Sequence, residues 1–449
     1  MDIAIVGAGP AGARAAWVLA RQGARVTIFD ASHPREKPCG GGVTGRALAL
    51  VADAIDGTSC ARTPIHSARF VRLRACGASA GQVRLLECGA SAGQVRLPEC
   101  DASGQVRLRE YGASAGQGRP PECGASAGQA LDPIALTTGD SATVDLDRGA
   151  LVVASRAEFD AALLHAAQQA GAVLEPARVT DVRVDADGVT LETRRGRRRA
   201  DVVIGADGAN SLVRRRVARP FRRDQLSIAT GFFAHGVTST EIVIAFVADP
   251  PGYIWSFPRP GHLAIGICAE ATAGHSSEAL RARTAEWIRA TGIARGARLE
   301  PYAWPIPSLA APDASELTVS GSRWLLTGDA AGLVDPITRE GIYFALASGQ
   351  WAAESLLRDR FASSYASRVA AEAGRELGRA ARFKAGFFRP AFINVLMRAL
   401  QQSAGVRAVM ADLIAGQQGY ADLKWRLLKT FEIGLAWRAL TSSSSRPAL

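Results

Sequence analysis

The sequence predicts an α/β chain, α+β taken as a whole: a doubly wound parallel half, an antiparallel sheet and a helical C-terminal region. Three observations carry that expectation. The chain opens on an apolar strand, Ile3-Ala4-Ile5-Val6, that runs directly into Gly7-Ala8-Gly9-Pro10-Ala11-Gly12 and a helical pattern over Ala13 to Gln22. Far downstream, two more apolar strands end in Gly/Asp turns, within Asp201 to Ser211 and Trp324 to Gly332. Between them, residues 226 to 320 read as alternating strands with short turns, the pattern of an antiparallel sheet.

The first turn has the chemistry of a Rossmann-like dinucleotide site. Gly7, Gly9 and Gly12 allow a tight turn and close backbone approach, and Pro10 and Ala11 open the helix whose N-terminus faces a pyrophosphate. The second strand, Arg25 to Phe29, ends at Asp30, placed to bind ribose hydroxyls.

The paired turns Gly205-Ala206-Asp207-Gly208 and Gly328-Asp329-Ala330-Ala331-Gly332 resemble those of the flavoprotein superfamily of p-hydroxybenzoate hydroxylase. The resemblance implies FAD as cofactor, with Asp329 on the ribityl chain. It also implies a helix from about Gly341-Ile342 aiming its N-terminus at the flavin, which would stabilise the reduced ring's negative charge. It nominates Asp207, Gly208, Gly328 and Gly332 as cofactor residues. Arg156, just before a helix over Ala157 to Ala170, is nominated on the same ground, the alternative being an ordinary helix-start arginine. No second Gly-x-Gly-x-x-Gly follows a strand, so a separate NADPH domain is not expected.

Two further motifs, Lys37-Pro38-Cys39-Gly40-Gly41-Gly42 and Pro250 to Pro258, resemble the geranylgeranyl reductase family, whose members saturate isoprenoid double bonds with reduced FAD. The resemblance covers nearly the whole chain except a repeat described below. It implies that Cys39, Gly40 and Gly41 lie near flavin and substrate. Tyr253, Trp255 and Phe257 alternate along one strand, which puts three aromatics on one face as a wall for an apolar chain, with Pro258 ending the strand. An isolated alkene accepts hydride poorly, so a coupled proton is needed; Cys39, Tyr253 or a water are the candidate donors. Two positions depart from the family. Cys268 stands where the second of a glycine pair is usual (the first is Gly266), and Arg339 stands where a glycine is common.

The implied function is FAD-dependent reduction of C=C bonds in an isoprenoid or other apolar small molecule, with NAD(P)H or a small electron carrier as reductant. Alternatives are a monooxygenase for an aromatic or polyketide substrate and a flavin-binding, non-catalytic lipid-binding protein. A flavin halogenase needs a lysine to carry activated halogen, and none occurs between residues 38 and 383.

The rest of the chain sets the organisation. From about 74 to 133 a twelve-residue unit rich in Gly, Ala and Ser repeats, with copies at Cys76, Cys88, Cys100, Tyr111 and Cys123. One copy lacks the cysteine and no histidine lies in the tract, so a mobile surface insertion is expected rather than a metal site. Its flanks, Ser67 to Leu73 and Ala142 to Leu146, alternate like neighbouring strands. The expected division is a discontinuous FAD-binding domain (1–65, 149–217, 318–355) and a substrate-binding sheet domain (66–73, 134–148, 218–317). The insertion (74–133), C-terminal helices (356–440) and a tail (441–449) complete it. Net charge is +11, almost wholly from arginine, with lysine only at 37, 384, 424 and 429. Arg194 to Arg199 reads as a solvated hairpin tip between strands at 189–191 and 202–204. No nucleic-acid motif accompanies the charge. No apolar run approaches eighteen residues and the first strand leaves no room for a signal peptide, so a cytoplasmic protein with possible peripheral membrane contact is expected. The apolar stripe Phe383, Phe387, Phe388, Phe392, Val395, Leu396 reads as core interrupted by Pro390.

Overall fold

The computed structural model describes residues 1–56, 60–74, 98–100, 106–108, 137–358 and 361–430. The chain divides into two compact units, Met1–Arg74 with Leu136–Leu449, and Ala75–Ala135. In the second, the described strands Pro98–Cys100 and Val106–Leu108 pair antiparallel. The repeat cysteines 76, 88 and 123 lie outside the described residues.

The larger unit is built on a six-stranded sheet ordered Val173–Glu175, Arg25–Phe29, Asp2–Val6, Val202–Gly205, Trp324–Leu326 and Ser320–Gly321. All pairs are parallel except the last. Its central strands are buried almost throughout, as a parallel sheet with helices on both faces requires. The helices Pro10–Arg21, Arg156–Gln169 and Ile342–Leu356 cover it. Gly349 lets the first and last of these touch, because a Cβ there would sit 2.2 Å from the Ala11 carbonyl oxygen. Ser155 caps the middle helix by accepting from the Glu158 amide.

A seven-stranded sheet runs Arg298–Pro307, Leu226–His235, His262–Glu270, Pro251–Arg259, Glu241–Ala248, Ser67–Arg74 and Thr137–Asp145. Only the Glu241–Ala248/Ser67–Arg74 pair is parallel. The strands flanking the repeat do pair, Ala68 opposite Val144 and Arg74 opposite Thr137. Helices Pro390–Gln402 and Ala404–Ile414 share one apolar core with this sheet, joining Phe387, Leu396, Met397 and Leu400 to Phe70, Phe246 and Trp255.

The apolar stripe is divided at Pro390, as expected: one helix ends at Phe387 and the next begins at Pro390, in a first turn where its missing N–H costs nothing. Two expectations need correction. The arginine-rich segment is not all turn: Gly196–Ala200 is a strand paired with Val189–Thr193, leaving Arg194-Arg195 at the tip. Val202–Gly205 belongs to the parallel sheet instead. Finally, Pro258 does not end its strand, which continues to Arg259 and pairs Pro258 with Leu263. The neighbour on the other side pairs no further than Ser256, so the ring occupies an edge position where no amide is needed. Among the described residues no helix is long and apolar enough to cross a membrane.

Candidate active site

The three Gly/Asp turns meet at the carboxyl ends of three adjacent strands of the parallel sheet. Gly7 has φ 105°, and a Cβ on it would lie 2.3 Å from the Ala206 carbonyl oxygen of the second turn. Gly12 is equally constrained, its Cβ position falling 2.0 Å from the Gly7 carbonyl oxygen. Gly9 meets nothing within 4 Å and precedes a helix that begins at Pro10 with no side-chain cap. That leaves first-turn amides and an open approach for an anion. Asp30 accepts from the Ala8 amide at 3.0 Å and from the Ser32 amide and hydroxyl. Burial pushes its carboxyl up, but these donors outweigh it and hold the group below the usual range.

The Asp207 carboxylate is engaged within its own turn. It accepts from the Leu212 and Val213 amides and the Ser211 hydroxyl, fixing the start of the helix Leu212–Val217, while burial pushes its pKa up. Gly208 has φ 80° and open space beside it. In the third turn Gly328 packs on Ala11 and Ala345 and donates to Ser348 Oγ, and Gly332 closes the turn at φ 84°. Asp329 lies 3.6 Å from Lys37 Nζ, and Gly341 is the N-cap residue of the helix that starts at Ile342.

A cavity of about 260 Å³ adjoins these turns. One wall carries Pro10, Lys37 to Gly42, Arg156, Asp329, Gly341 and Ile342; another carries Tyr253, Trp255 and Phe257. Aliphatic and aromatic side chains from both the sheet and the C-terminal helices complete it, including Ile242, Phe246, Phe387 and Leu413. Gly7, Gly9, Ala11, Gly12, Asp30, Asp207, Gly208, Gly328, Gly332 and Pro258 stand outside this lining. Gly266, directly opposite Trp255, makes room for the indole: a Cβ there would fall 2.5 Å from both the indole ring and the Tyr302 hydroxyl. Tyr253 is buried and its hydroxyl donates to the Thr338 carbonyl at 3.4 Å. Burial, with the Cys268 thiol beside it, pushes its pKa well up, so the phenol stays protonated.

Sequence reasoning missed the residue that fixes the cysteine loop. Arg259 is fully buried; it donates to the carbonyls of Lys37, Cys39 and Gly40 and pairs with Glu36. Its Nη2 lies 3.4 Å from the Cys39 sulfur, and Arg156 Nη1 lies 3.3 Å from the same atom. Burial lowers Arg259 to about 10, so it remains charged at neutral pH. Burial also works against Arg156, but Asp160 and Cys39 outweigh it and raise its pKa. Glu36 accepts from Ser155 Oγ and the Arg156 amide, each at 2.9 Å, tying the loop to the covering helix. An arginine following Phe257-Pro258 in an apolar strand was the available signal.

A second oversight concerns lysine. None lies between residues 38 and 383, yet the fold brings both boundary residues to the site: Lys37 lines the cavity and Lys384 donates to Ser308 Oγ, which also accepts from Arg339. The absence of lysine from the interval therefore excludes nothing.

Fold and site define a dinucleotide-binding oxidoreductase. More specifically, the chain belongs to the FAD-dependent oxidoreductase family, whose model matches residues 2–355. It is 28% identical over 374 residues to a geranylgeranyl diphosphate reductase of Rhodobacter capsulatus, covering 79% of this chain and 75% of that one. It is 27% identical over 444 residues to a menaquinone reductase of Mycobacterium tuberculosis, covering 94% and 93%. Among solved structures, a geranylgeranyl bacteriochlorophyll reductase-like protein from Thermoplasma acidophilum shares the fold, with a TM-score of 0.67 and 17% identity over 96% of this chain and 99% of that one. Flavin-dependent halogenases also share the fold.

Proposed function

We propose that the protein reduces carbon–carbon double bonds of a prenyl chain, drawing electrons from NAD(P)H or a small electron carrier. The observation that carries this reading is the single cavity that joins the cofactor turns to an apolar wall of Tyr253, Trp255 and Phe257. The reductase names of the two sequence relatives support it.

The residues fit FAD. Gly7 and Gly12 fill the turn so tightly that no side chain could replace them, while Gly9 and the uncapped helix leave a cradle for a pyrophosphate. Asp30 and Asp329 would hold the ribose and ribityl hydroxyls, and Gly341 and Ile342 bring the N-terminus of a helix to the cavity. When bound, FAD supplies two-electron hydride chemistry. The chain's own residues do the rest. Trp255 and its neighbours hold the apolar chain and exclude water, and the Arg259–Glu36 pair keeps Cys39 and its glycines against the cavity. Tyr253, kept protonated by burial, and Cys39, between two guanidiniums, are the candidate donors for the coupled proton. Exposed Trp425 and Leu428, with Lys424 and Lys429 on the same helix (Tyr420–Thr430), suit transient contact with a bilayer that holds such substrates.

The test is to reduce the FAD-loaded protein anaerobically and add prenyl compounds. Flavin reoxidation with formation of a more saturated product is the expected result. In a parallel aerobic assay, substrate-triggered oxygen uptake with a hydroxylated product would make the protein a monooxygenase instead.

A further inference from the structure

The main cavity has a limb that the wall of Tyr253, Trp255 and Phe257 does not cover. At the level of Tyr253 the seven-stranded sheet sets five side chains in one row across neighbouring strands: Phe246, Tyr253, Cys268, Ala229 and Trp304 stand opposite one another in turn. All five line the cavity. The wall runs along a strand, whereas this row crosses the strands and meets the wall at Tyr253.

The row has the form of a trough. Its middle, Cys268 and Ala229, is a floor of small buried side chains with aromatic rings at either end. Two residues along the strands, the Trp255 indole fills the space beside Gly266 and makes a side wall. Trp304 closes the outer end, half-buried on the edge strand Arg298–Pro307, with the Arg35 guanidinium 5.7 Å from its ring centroid. Neighbouring strands lie about 4.8 Å apart, so the distance from Tyr253 to Trp304 is roughly 14 Å, the extended length of about three prenyl units.

The nitrogen and oxygen groups of the row are few. The Tyr253 hydroxyl donates to the Thr338 carbonyl, and the Trp304 N–H is buried without a partner among the described residues. Cys268 and Ala229 offer no strong hydrogen bond. A hydrocarbon loses nothing on such a floor, whereas the edge of a flavin ring would leave most of its carbonyl and N–H groups unpaired there.

We propose that this cross-strand limb is a distinct subsite for the far end of the apolar chain, and that Ala229, Cys268 and Trp304 set how long a chain the protein accepts. The subsite rests on the prenyl reading of the cavity and adds a turn to it: the chain follows Phe257, Trp255 and Tyr253, then crosses the sheet toward Trp304. The Cys268 thiol takes up part of the floor, and the Ala229 methyl leaves the rest open.

The test measures dissociation constants on oxidised, FAD-loaded protein for alcohols of one to four prenyl units and for n-alkanols of matching length. In wild type, affinity should rise with length in both series. Ala229→Leu, which fills the floor, should keep the affinity for the one-unit alcohol and end the rise at least one unit earlier. Trp304→Ala should weaken the four-unit alcohol by about tenfold and leave the one-unit alcohol unchanged. That substitution lies on an edge strand and leaves the sheet's pairing intact, so it carries the test should Ala229→Leu not fold. Both variants should retain FAD. A rise in wild type that neither variant alters, or variants that lose FAD instead, would overturn the subsite and leave the prenyl reading intact. A rise with n-alkanols alone, curtailed in the variants, would support the subsite and remove the prenyl reading. Affinities independent of length in both series would overturn both.

Discussion

At the scale of single residues, the site rests on a few groups whose chemistry admits little substitution. Asp329 is the clearest. It lies between the helix start at Gly341 and Lys37 and lines the cavity, and its carboxylate is the group we propose holds the cofactor's polyol chain. Asp329→Ala is expected to weaken FAD binding by about ten- to a hundredfold, the effect of losing a charge-assisted hydrogen bond. The protein should then leave gel filtration largely colourless; full FAD occupancy would remove Asp329 from the cofactor site. Much of this was readable beforehand. Gly7 and Gly12 of the first turn are dictated by backbone clashes that their spacing already announces. The local work of Asp207, capping a short helix five residues on, leaves no trace in a Gly-Ala-Asp-Gly motif. Arg259 and Glu36 were missed because the partners of an ion pair lie far apart in sequence; an arginine in an apolar strand hints at a buried charge but does not name its partner.

At the scale of elements, the apolar strands of the parallel sheet were legible because burial on both faces gives them continuous hydrophobic runs. The strand Gly196–Ala200 was not, since its exposed arginines carry no alternation to read. Pro258 misled for a related reason: whether a proline ends a strand depends on the neighbour's length, which only the assembled sheet decides. The flanks of the repeat lead to a prediction. Arg74 and Thr137 already stand opposite one another in paired strands, so the ends of the insertion are held together without it. Deleting residues 76–127 should preserve FAD content and change the unfolding free energy by no more than about 1 kcal/mol. Each doubling of loop length contributes only about 0.6 kcal/mol of closure entropy. Urea unfolding with flavin absorbance would check this. Loss of soluble protein would show that the repeat belongs to the core.

For the whole molecule, one buried imidazole sets an acid limit. His262 lies in the seven-stranded sheet beside Arg259 and His235, with Glu300 nearby. Burial, then Arg259 and His235, lower its pKa from 6.5 to about 4. The unfolded chain therefore binds a proton that the folded one refuses between those values. This contribution to stability is full above pH 6.5 and lost as pH falls toward 4, on the order of 1–3 kcal/mol. His262→Asn, whose amide can still donate to the Pro260 carbonyl, should flatten the fall in urea midpoint between pH 7 and 4. Parallel curves for the two proteins would assign the acid sensitivity elsewhere.

The same sheet carries the aromatic wall of Tyr253, Trp255 and Phe257. Burying an indole against an isoprenoid chain contributes very roughly 1.5–3 kcal/mol. Trp255→Ala should therefore raise the dissociation constant of a prenyl substrate by about ten- to a hundredfold while leaving the flavin spectrum unchanged. A hydroxylase for a small ring would also suffer from that substitution, so chain length decides. The most direct measurement is affinity of the wild-type, FAD-loaded protein for a series of compounds with the same head and one to four prenyl units. Affinity should rise with each unit added until the cavity is filled. Affinity that is independent of chain length would contradict an isoprenoid-binding wall and, with it, the reductase assignment.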